Sequence, residues 1–599
     1  MGRKRESRTY DVVVVGGGMS GVCAAVASAR GGAKTCLVQN RPVLGGNASS
    51  EIRMHICGAL GLGHDRKNAR ETGILEEILL ENLARNPQHS FSVFDTILWE
   101  KTAFQEGLEL YLNTHMTGAD VRDGTILSIR AEQLTTETSF AFQGALFVDA
   151  TGDASLAALA GAECMKGREG KERFGESLAP DAPDGCTMGN TLLFESVDLG
   201  RPVPFEKPAW AYTYTKEDLA EREIDDLSSG YWWIELGGGE LDTIADAERI
   251  RDELLRSVYG VWDYIKNRGG YGAENLALRW VGFLPGKRDS RRVVGDYVLT
   301  ERDLREPRGF EDAVAYGGWP IDLHVVEGIR NRQAPTAFIH LGGVYAIPYR
   351  CLYARDIRNL FVGGRAWSAS HVAFSSARVM ATCAVAGQAI GTAAAAGIRT
   401  GLLPGELGGR IGEIQQRLLR DDAYIPGLRN ADPLDLAKES TVTASSSLPG
   451  SPASNVLNGI ARAEGGQTNC WISEPLGIGA ETISLSLPRP AAVRELDLRF
   501  DSDLSRENML SLSHRVLHRF NKGLAHELVR DYEVRLVSGG RIVHEERVRG
   551  NHLRHRVHAL PGGSHTRGPL VDEVRITVLA THGDPHARIF EIRLYEERR

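Results

Sequence analysis

In the run Val12-Val13-Val14-Val15-Gly16-Gly17-Gly18-Met19-Ser20-Gly21, the glycines Gly16, Gly18 and Gly21 have the spacing that lets a backbone close around a phosphate. The chemistry is binding. The first glycine permits a tight turn, the second admits a pyrophosphate to the main chain, and the third lets the next helix pack close to the strand. β-Branched residues precede the glycines, and an alanine-rich helical segment, Val22 to Arg30, follows them. The helix N-terminus offers unpaired N–H groups and a positive dipole end to that phosphate, and Met19 and Ser20, in the turn before it, are expected cofactor contacts. Strand, glycine turn and helix in this order predict a bound dinucleotide. A second strand, Lys34 to Val38, ends at Gln39, followed by Asn40 and Arg41. Position 39 is the ribose-contacting one, where most such sites carry Asp or Glu. Glutamine can accept with its amide oxygen, but it is neutral and its bond is weaker.

Three further segments point to the identity of the nucleotide. They are Leu44-Gly45-Gly46-Asn47-Ala48-Ser49-Ser50, Leu146-Phe147-Val148-Asp149-Ala150-Thr151-Gly152-Asp153, and Asn359-Leu360-Phe361-Val362-Gly363-Gly364-Arg365. A long small-residue helix is expected after the last, from Ser375 to Ala396. On these residues the chain resembles the FAD-dependent oxidoreductases of the glutathione-reductase-like superfamily. The resemblance implies FAD as cofactor. It implies that Gly45, Gly46 and Asn47, with Arg41, Ser49 and Ser50 in the same stretch, contact the pyrophosphate and approach the isoalloxazine ring. It also implies that Ala150, Thr151, Gly152 and Asp153 return the chain to the nucleotide, and that Gly364 closes over the ribityl chain. Arg365 stands where the family usually has Asp. The whole chain further resembles a bacterial group of FAD-dependent oxidoreductases found with polysaccharide-degrading systems. That likeness is carried by the stretches from Arg41 to Ser50, Gly286 to Arg292, Tyr316 to Trp319 and Ser370 to Phe374. It implies cofactor and fold, and leaves the substrate open.

Oxidation of an alcohol by a flavin needs a base for the hydroxyl proton, and histidine suits this near neutral pH. His371 is the first candidate, because it precedes the helix whose N-terminus is expected at the flavin. His324 is the second, with Asp322 two residues away on the same strand face. His55, in the loop after Gly46, is a third candidate and a candidate covalent tether. Arg288, Arg291 and Arg292 either hold an anionic substrate or the reduced flavin by charge-assisted bonds or form a solvated charge run; the family likeness of that stretch favours a functional role for Arg288 and Arg292. His552, His555, His558, His582 and His586 match no zinc template, so no metal is expected. No second glycine fingerprint opens a helix elsewhere, which argues against a separate nicotinamide-binding domain. The substrate is therefore expected to reduce the flavin directly, with an unidentified external acceptor reoxidising it.

The elements that must position these residues divide the chain. The expected fold is α/β, a Rossmann-type FAD-binding domain with an inserted α+β substrate domain, followed by a C-terminal β-sandwich. Residues 1–162 form the first part of the FAD domain, with a β-meander between Leu108 and Val148. Residues 163–345, rich in aromatics including Trp232, Trp233 and Trp319, form the substrate domain. Residues 346–404 close the FAD domain, and 405–431 read as a charged helical linker. From 432 to 599 short alternating strands appear. Together with Asn455 to Gly459 and Thr468 to Trp471 they resemble a discoidin-like or galactose-binding-like module. Such a module reads equally as a glycan binder and as a lid or self-association surface for a homo-oligomer.

Composition bounds the rest. The chain has 599 residues, is 42% hydrophobic and 25% charged, and carries a net charge of -8. Lys and Arg number 70 against 78 Asp and Glu, which speaks against a general nucleic-acid-binding role. No uninterrupted apolar run reaches the ~18 residues of a membrane span. Arg3-Lys4-Arg5 is not followed by an apolar segment, so it does not read as a secretory signal. Eight scattered cysteines, none in C-x-x-C spacing, fit the reducing cytoplasm. The leading expectation is an FAD-dependent oxidase or dehydrogenase acting on a sugar-like small molecule. A fumarate-reductase-like enzyme on a dicarboxylate and a non-redox, glycan-binding flavoprotein are the alternatives.

Overall fold

The computed structural model describes residues 4–61, 67–306, 308–477, 479–561 and 569–598. The chain forms two compact units. The first comprises residues 1–62, 89–411 and 509–521, and the second comprises 63–88, 412–508 and 522–599.

The first unit is built on β1 (Lys4–Val15), β2 (Thr35–Val38), β3 (Leu108–Tyr111), β4 (Thr114–Arg122), β5 (Thr125–Gln133) and β6 (Thr138–Asp149). They lie in the order β3-β2-β1-β6-β5-β4, and the short strand Leu360–Val362 also pairs with β6. β1, β2, β3, β6 and Leu360–Val362 run parallel, whereas β4, β5 and β6 form an antiparallel meander. Val12, Val13, Val14 and Val15 are all buried. A parallel strand covered on both faces needs such a continuous apolar run.

Helix α1 (Met19–Arg30) packs along the helix Met380–Thr400. A Cβ on Gly387 would stand 2.2 Å from the Ser20 carbonyl, and one on Gly391 would stand 2.1 Å from that of Ala24. These small residues bring two helix N-termini to one side of the sheet. By length and composition Met380–Thr400 is apolar enough to cross a membrane, but it is buried within the unit. The single helix expected from Ser375 to Ala396 is in fact two, His371–Ala377 and Met380–Thr400. Val379, β-branched and extended, is the N-cap of the second, and the Ala381 N–H donates to the Cys57 carbonyl (3.0 Å).

The expected substrate segment contains two-stranded antiparallel ladders and the helix Ala247–Asp263. Asn190–Thr191 pairs with Glu235–Leu236, and Ile321–His324 with Thr336–Ile339. It clusters with the nucleotide-binding strands in one unit.

In the second unit a five-stranded and a four-stranded antiparallel sheet enclose an apolar core that includes Trp471, Ile483, Leu498, Val534, Ile576 and Ile592. In the four-stranded sheet, the other face of the strands Glu495–Phe500 and His586–Tyr595 carries buried charges, whereas Val557 and Ala559 of the edge strand are exposed. Glu495, Asp497, Arg499, Glu591 and Arg593 are all buried there. Arg420 pairs with Glu495 (2.7 Å), and Arg499 donates to the Leu419 and Arg420 carbonyls and pairs with Glu591 (2.6 Å). Residues 412–431, expected as part of a linker, therefore form a covering layer of this unit. The charges of Arg420 and Asp422 serve buried ion pairs, not solvent.

Candidate active site

A cavity of about 600 Å³ opens in the first unit where the glycine turn after β1 meets the substrate segment. It is lined by Gly16, Gly18, Met19, Ser20, Gln39, Asn40, Arg41, Gly45, Gly46, Asn47, Ser49, Ala150, Thr151, Gly152, Asp153, Gly364 and Arg365, all expected cofactor contacts. Gly21 and Ser50 do not line it. A Cβ on Gly21 would lie 1.8 Å from the Gly16 carbonyl, so this glycine serves turn packing. The Ser50 N–H donates to Asp95 (3.1 Å).

The glycine turn fits a pyrophosphate. A Cβ built on Gly18 meets nothing within 4 Å, so the main chain there faces open cavity. Gly18 caps α1 without a side-chain bond, which leaves the first helical N–H groups directed there. The second glycine loop is tied to the first through the Gly45 N–H and the Gly17 carbonyl (2.8 Å). Gln39 is committed to this loop: its Oε1 accepts from the Gly17 N–H (2.8 Å) and its Nε2 donates to the Val43 carbonyl (3.1 Å). Val379 and Met380 also line the cavity, so the N-terminus of the second helix ends at its wall, without a side-chain cap.

The Gly286–Arg292 stretch binds these loops to the substrate segment. Asn47 donates to the Lys287 carbonyl (3.0 Å), Lys287 pairs with Asp153 (2.6 Å), and Ser290 donates to Asp153 (2.9 Å). Arg365 lies 3.8 Å from the same carboxylate. Burial works to raise the Asp153 carboxyl, but Arg365 and Lys287 hold it below its ordinary range.

Trp232, Arg288, Trp319, Asp322, His324, Phe338 and Arg378 line the cavity as well. His324 Nδ1 lies 2.6 Å from Glu235 Oε2, and its Nε2 lies 3.1 Å from Asp322 Oδ2 and 3.0 Å from Arg378 Nη2. Trp232 meets the imidazole edge-on, with centroids 5.5 Å apart. Phe338, half exposed, packs against both Trp232 and Trp319. Burial works to raise both carboxyls here. Arg288 and His324 nevertheless hold Glu235 below the usual carboxylate range, and His324 and Arg378 hold Asp322 well below it. Arg288 spends its donors on Thr191 Oγ1 (2.6 Å) and the Gly189 and Trp232 carbonyls, beside Glu235.

His371 and Arg292 are placed differently. His371 is buried, its Nδ1 3.1 Å from Asp289, and it is absent from the cavity lining. The helix break is the reason: the N-terminus at the cavity belongs to Met380, and His371 starts the preceding helix. Arg292 is wholly buried and bonds to Glu169 and the Ala369 carbonyl (3.0 Å). Arg291 donates to the Asp153 carbonyl (3.2 Å). His55 lines the cavity, and burial pushes its imidazole down to about 4. Trp233, expected beside Trp232, is core: it stacks on Tyr231 at 4.8 Å. The reading of the sequence passed over Glu235 and Arg378. Glu235 follows Trp232-Trp233-Ile234 in a two-residue strand, and Arg378 sits where one helix was expected to continue.

Residues 11–418 match the family model described as FAD dependent oxidoreductase. The chain belongs to this family. FAD is its cofactor, and the glycine cradle above fits it. Solved structures similar to part of the chain include the family 32 carbohydrate-binding module of C. perfringens NanJ in complex with galactose. That module is 18% identical, with 27% of this chain and 98% of the module covered, at a TM-score of 0.20. A fucose-binding module from Streptococcus pneumoniae, SpX-3, is 11% identical over 27% of this chain and 98% of its own, at 0.21. The family 32 module of Streptococcus pneumoniae EndoD is 15% identical over 27% and 99%, also at 0.21. Scores this low carry no argument about ligands.

Proposed function

We propose that this FAD-dependent oxidoreductase dehydrogenates a carbinol carbon of a carbohydrate or related polyol, with His324 as the base. The observation that carries the reading is the His324 imidazole, held between two carboxylates in the cavity that also contains the glycine cradle. FAD, when bound, supplies the two-electron oxidant that takes up the substrate's hydride. The chain's part is proton transfer and orientation. The substrate O–H bond breaks, its proton passes to His324 Nε2, and the C–O bond becomes a carbonyl as the C–H pair departs as hydride. Asp322 and Glu235 stabilise the imidazolium so formed. Trp232, Trp319 and Phe338 offer the apolar surface on which a sugar face packs. An external acceptor reoxidises the flavin. The motifs from Asn455 to Gly459 and Thr468 to Trp471, which resemble those of a discoidin-like module, support a sugar context.

The dicarboxylate alternative needs unspent guanidinium donors. Those of Arg288 are committed to Thr191, Gly189 and Trp232. Arg365 Nη1 and Arg378 Nε in the same cavity have no hydrogen-bond partner among the described residues, so a dicarboxylate is the second substrate class to test. The deciding experiment is anaerobic bleaching of the FAD-loaded protein by a panel of sugars, polyols and dicarboxylates. Bleaching by a sugar or polyol is expected. Bleaching by dicarboxylates alone would overturn the substrate class, and glycan binding without any bleaching would overturn the redox role.

A further inference from the structure

We infer that Glu235 is a positioning residue that decides which nitrogen of His324 takes the proton; this rests on the reading of His324 as the base. Glu235 belongs to the strand Glu235–Leu236, on the inner side of the imidazole, and is 2% exposed. Its Oε1 accepts from the Gly189 N–H (2.7 Å), and its Oε2 lies 2.6 Å from His324 Nδ1 and 3.4 Å from Arg288 Nη1. The carboxylate is thus fixed from three directions: a backbone amide, a guanidinium and the imidazole.

An ionised carboxylate accepts hydrogen bonds and cannot donate them. At 2.6 Å from Glu235, His324 Nδ1 must therefore carry a hydrogen. In the neutral ring the bare nitrogen is then Nε2, as the bond made by one ring nitrogen determines the state of the other. Two charged groups meet Nε2 on the opposite side. In the free site Arg378 Nη2, at 3.0 Å, donates to the lone pair of the neutral ring; when a substrate hydroxyl takes that lone pair, Arg378 keeps its bond to Asp322 Oδ2 (3.0 Å). Asp322 Oδ2, at 3.1 Å, receives the hydrogen once the ring is protonated. Asp322 is itself held by Thr336 Oγ1 and by Arg378 (3.0 Å). Arg288 stands behind Glu235, and Trp232 covers the ring edge without charge. Transfer of a substrate proton to Nε2 breaks one O–H bond and makes one N–H bond, while the Glu235–Nδ1 bond persists. Without the Glu235 charge, Asp322 favours the opposite tautomer, with the hydrogen on Nε2, and the base is blocked.

The test uses full-length, FAD-loaded protein. ¹⁵N-histidine spectra, with the His324 signals assigned by their loss in His324→Ala, should show hydrogen on Nδ1 of the neutral ring. A neutral ring with hydrogen on Nε2 overturns the proposal, whatever the reaction proves to be. Glu235→Gln should keep FAD and switch the tautomer. With whichever substrate bleaches the wild type, flavin reduction should slow by about 10²-fold or more, and its acid limb should move to lower pH, because the imidazolium loses a counter-charge. Glu235→Asp should restore part of the rate. An unchanged rate and pH profile in loaded Glu235→Gln would overturn the positioning role. If His324→Ala reduces its flavin as fast as the wild type, the base reading fails while the tautomer result stands. Should Glu235→Gln not fold, the wild-type spectrum still decides.

Discussion

At the scale of single residues, the glycine fingerprint was legible because its spacing answers a local geometric need. The three glycines answer it differently. Gly18 has an ordinary φ of -68° and an open Cβ direction, whereas a Cβ on Gly16 would stand 2.2 Å from the Ala150 carbonyl. Gly18→Val should therefore yield a folded, colourless protein, with a stability cost within about 0.5 kcal/mol of the wild-type apoprotein. Gly21→Ala should fail to accumulate in soluble form. Flavin absorbance together with melting curves separates these outcomes. The histidines were less legible, since a base is defined by what surrounds it in space. His324→Ala should keep FAD and slow substrate-driven reduction by about 10²–10⁴-fold. His371→Ala should keep its rate in the loaded enzyme and lose roughly 1–3 kcal/mol of stability, because wholly buried Asp289 loses a partner. Rapid-reaction bleaching and thermal melting distinguish the two. His55 gives a pH signature. Its folded value of about 4 lies below the ~6.5 of an unfolded chain, so the unfolded state takes up the proton first. Stability linked to His55 is complete above pH 6.5 and is lost as pH falls from there towards 4. His55→Asn should flatten the melting temperature over that interval relative to wild type.

At the scale of elements, patterns that depend on local periodicity could be read from the sequence, and long-range partners could not. The meander of β4, β5 and β6 turns at Asp123-Gly124, both with positive φ, as the turn residues predicted. The hairpin Ile321–His324 with Thr336–Ile339 sets Asp322, His324 and Phe338 at the cavity through a register that pairs Asp322 with Phe338. Glu235, by contrast, meets His324 across 89 positions of chain, and no spacing announces such a pair. The same holds for the short helix His514–Phe520, which lies in the C-terminal third of the sequence but belongs to the first unit. Ser513 caps it by accepting from the Val516 N–H (3.1 Å) and also bonds Asp226. The Arg515 N–H donates to Asp226 (3.1 Å), and the Asp226 carbonyl accepts from the Tyr231 hydroxyl (2.9 Å). This loop continues directly into Trp232 and Glu235. Ser513→Ala removes a cap and a bond to a charged acceptor, together about 1–3 kcal/mol. The expected result is a lower melting temperature with FAD content intact. An unchanged melting curve would mean that the helix is not held through Ser513.

At the scale of the whole molecule, the composition break near Asp432 marks where short strands begin, and it is not the edge of a compact unit. The second unit begins at Gly412 and also takes residues 63–88 from the N-terminal region. Charged residues between Gly412 and Asp432 look like a solvated bridge when only their types are seen. Their partners are carboxylates and guanidiniums on a distant sheet face, such as Glu495 and Arg499. Arg70 shows the same dependence. It is 3% exposed, pairs with Glu76 (3.0 Å by Nε), and donates to the Asp503 (2.7 Å) and Ser502 (3.0 Å) carbonyls. Deleting residues 432–599 would leave Arg70 and Glu76 without the chain they are buried against, and would strip Ser513 and its helix from the first unit. A buried polar network that loses part of its partners is costly wherever the remaining groups stay out of water without them. The truncated chain should therefore aggregate or give much less soluble protein than the full chain, although every glycine motif for FAD precedes the cut. Size-exclusion chromatography with flavin absorbance tests this. A soluble, monodisperse, yellow product would show that residues 432–599, the helix His514–Phe520 included, are dispensable to the flavin fold. Restoring Ser502–Asp503 and the Ser513 helix requires most of the second unit, so cuts elsewhere between 432 and 508 should fare no better.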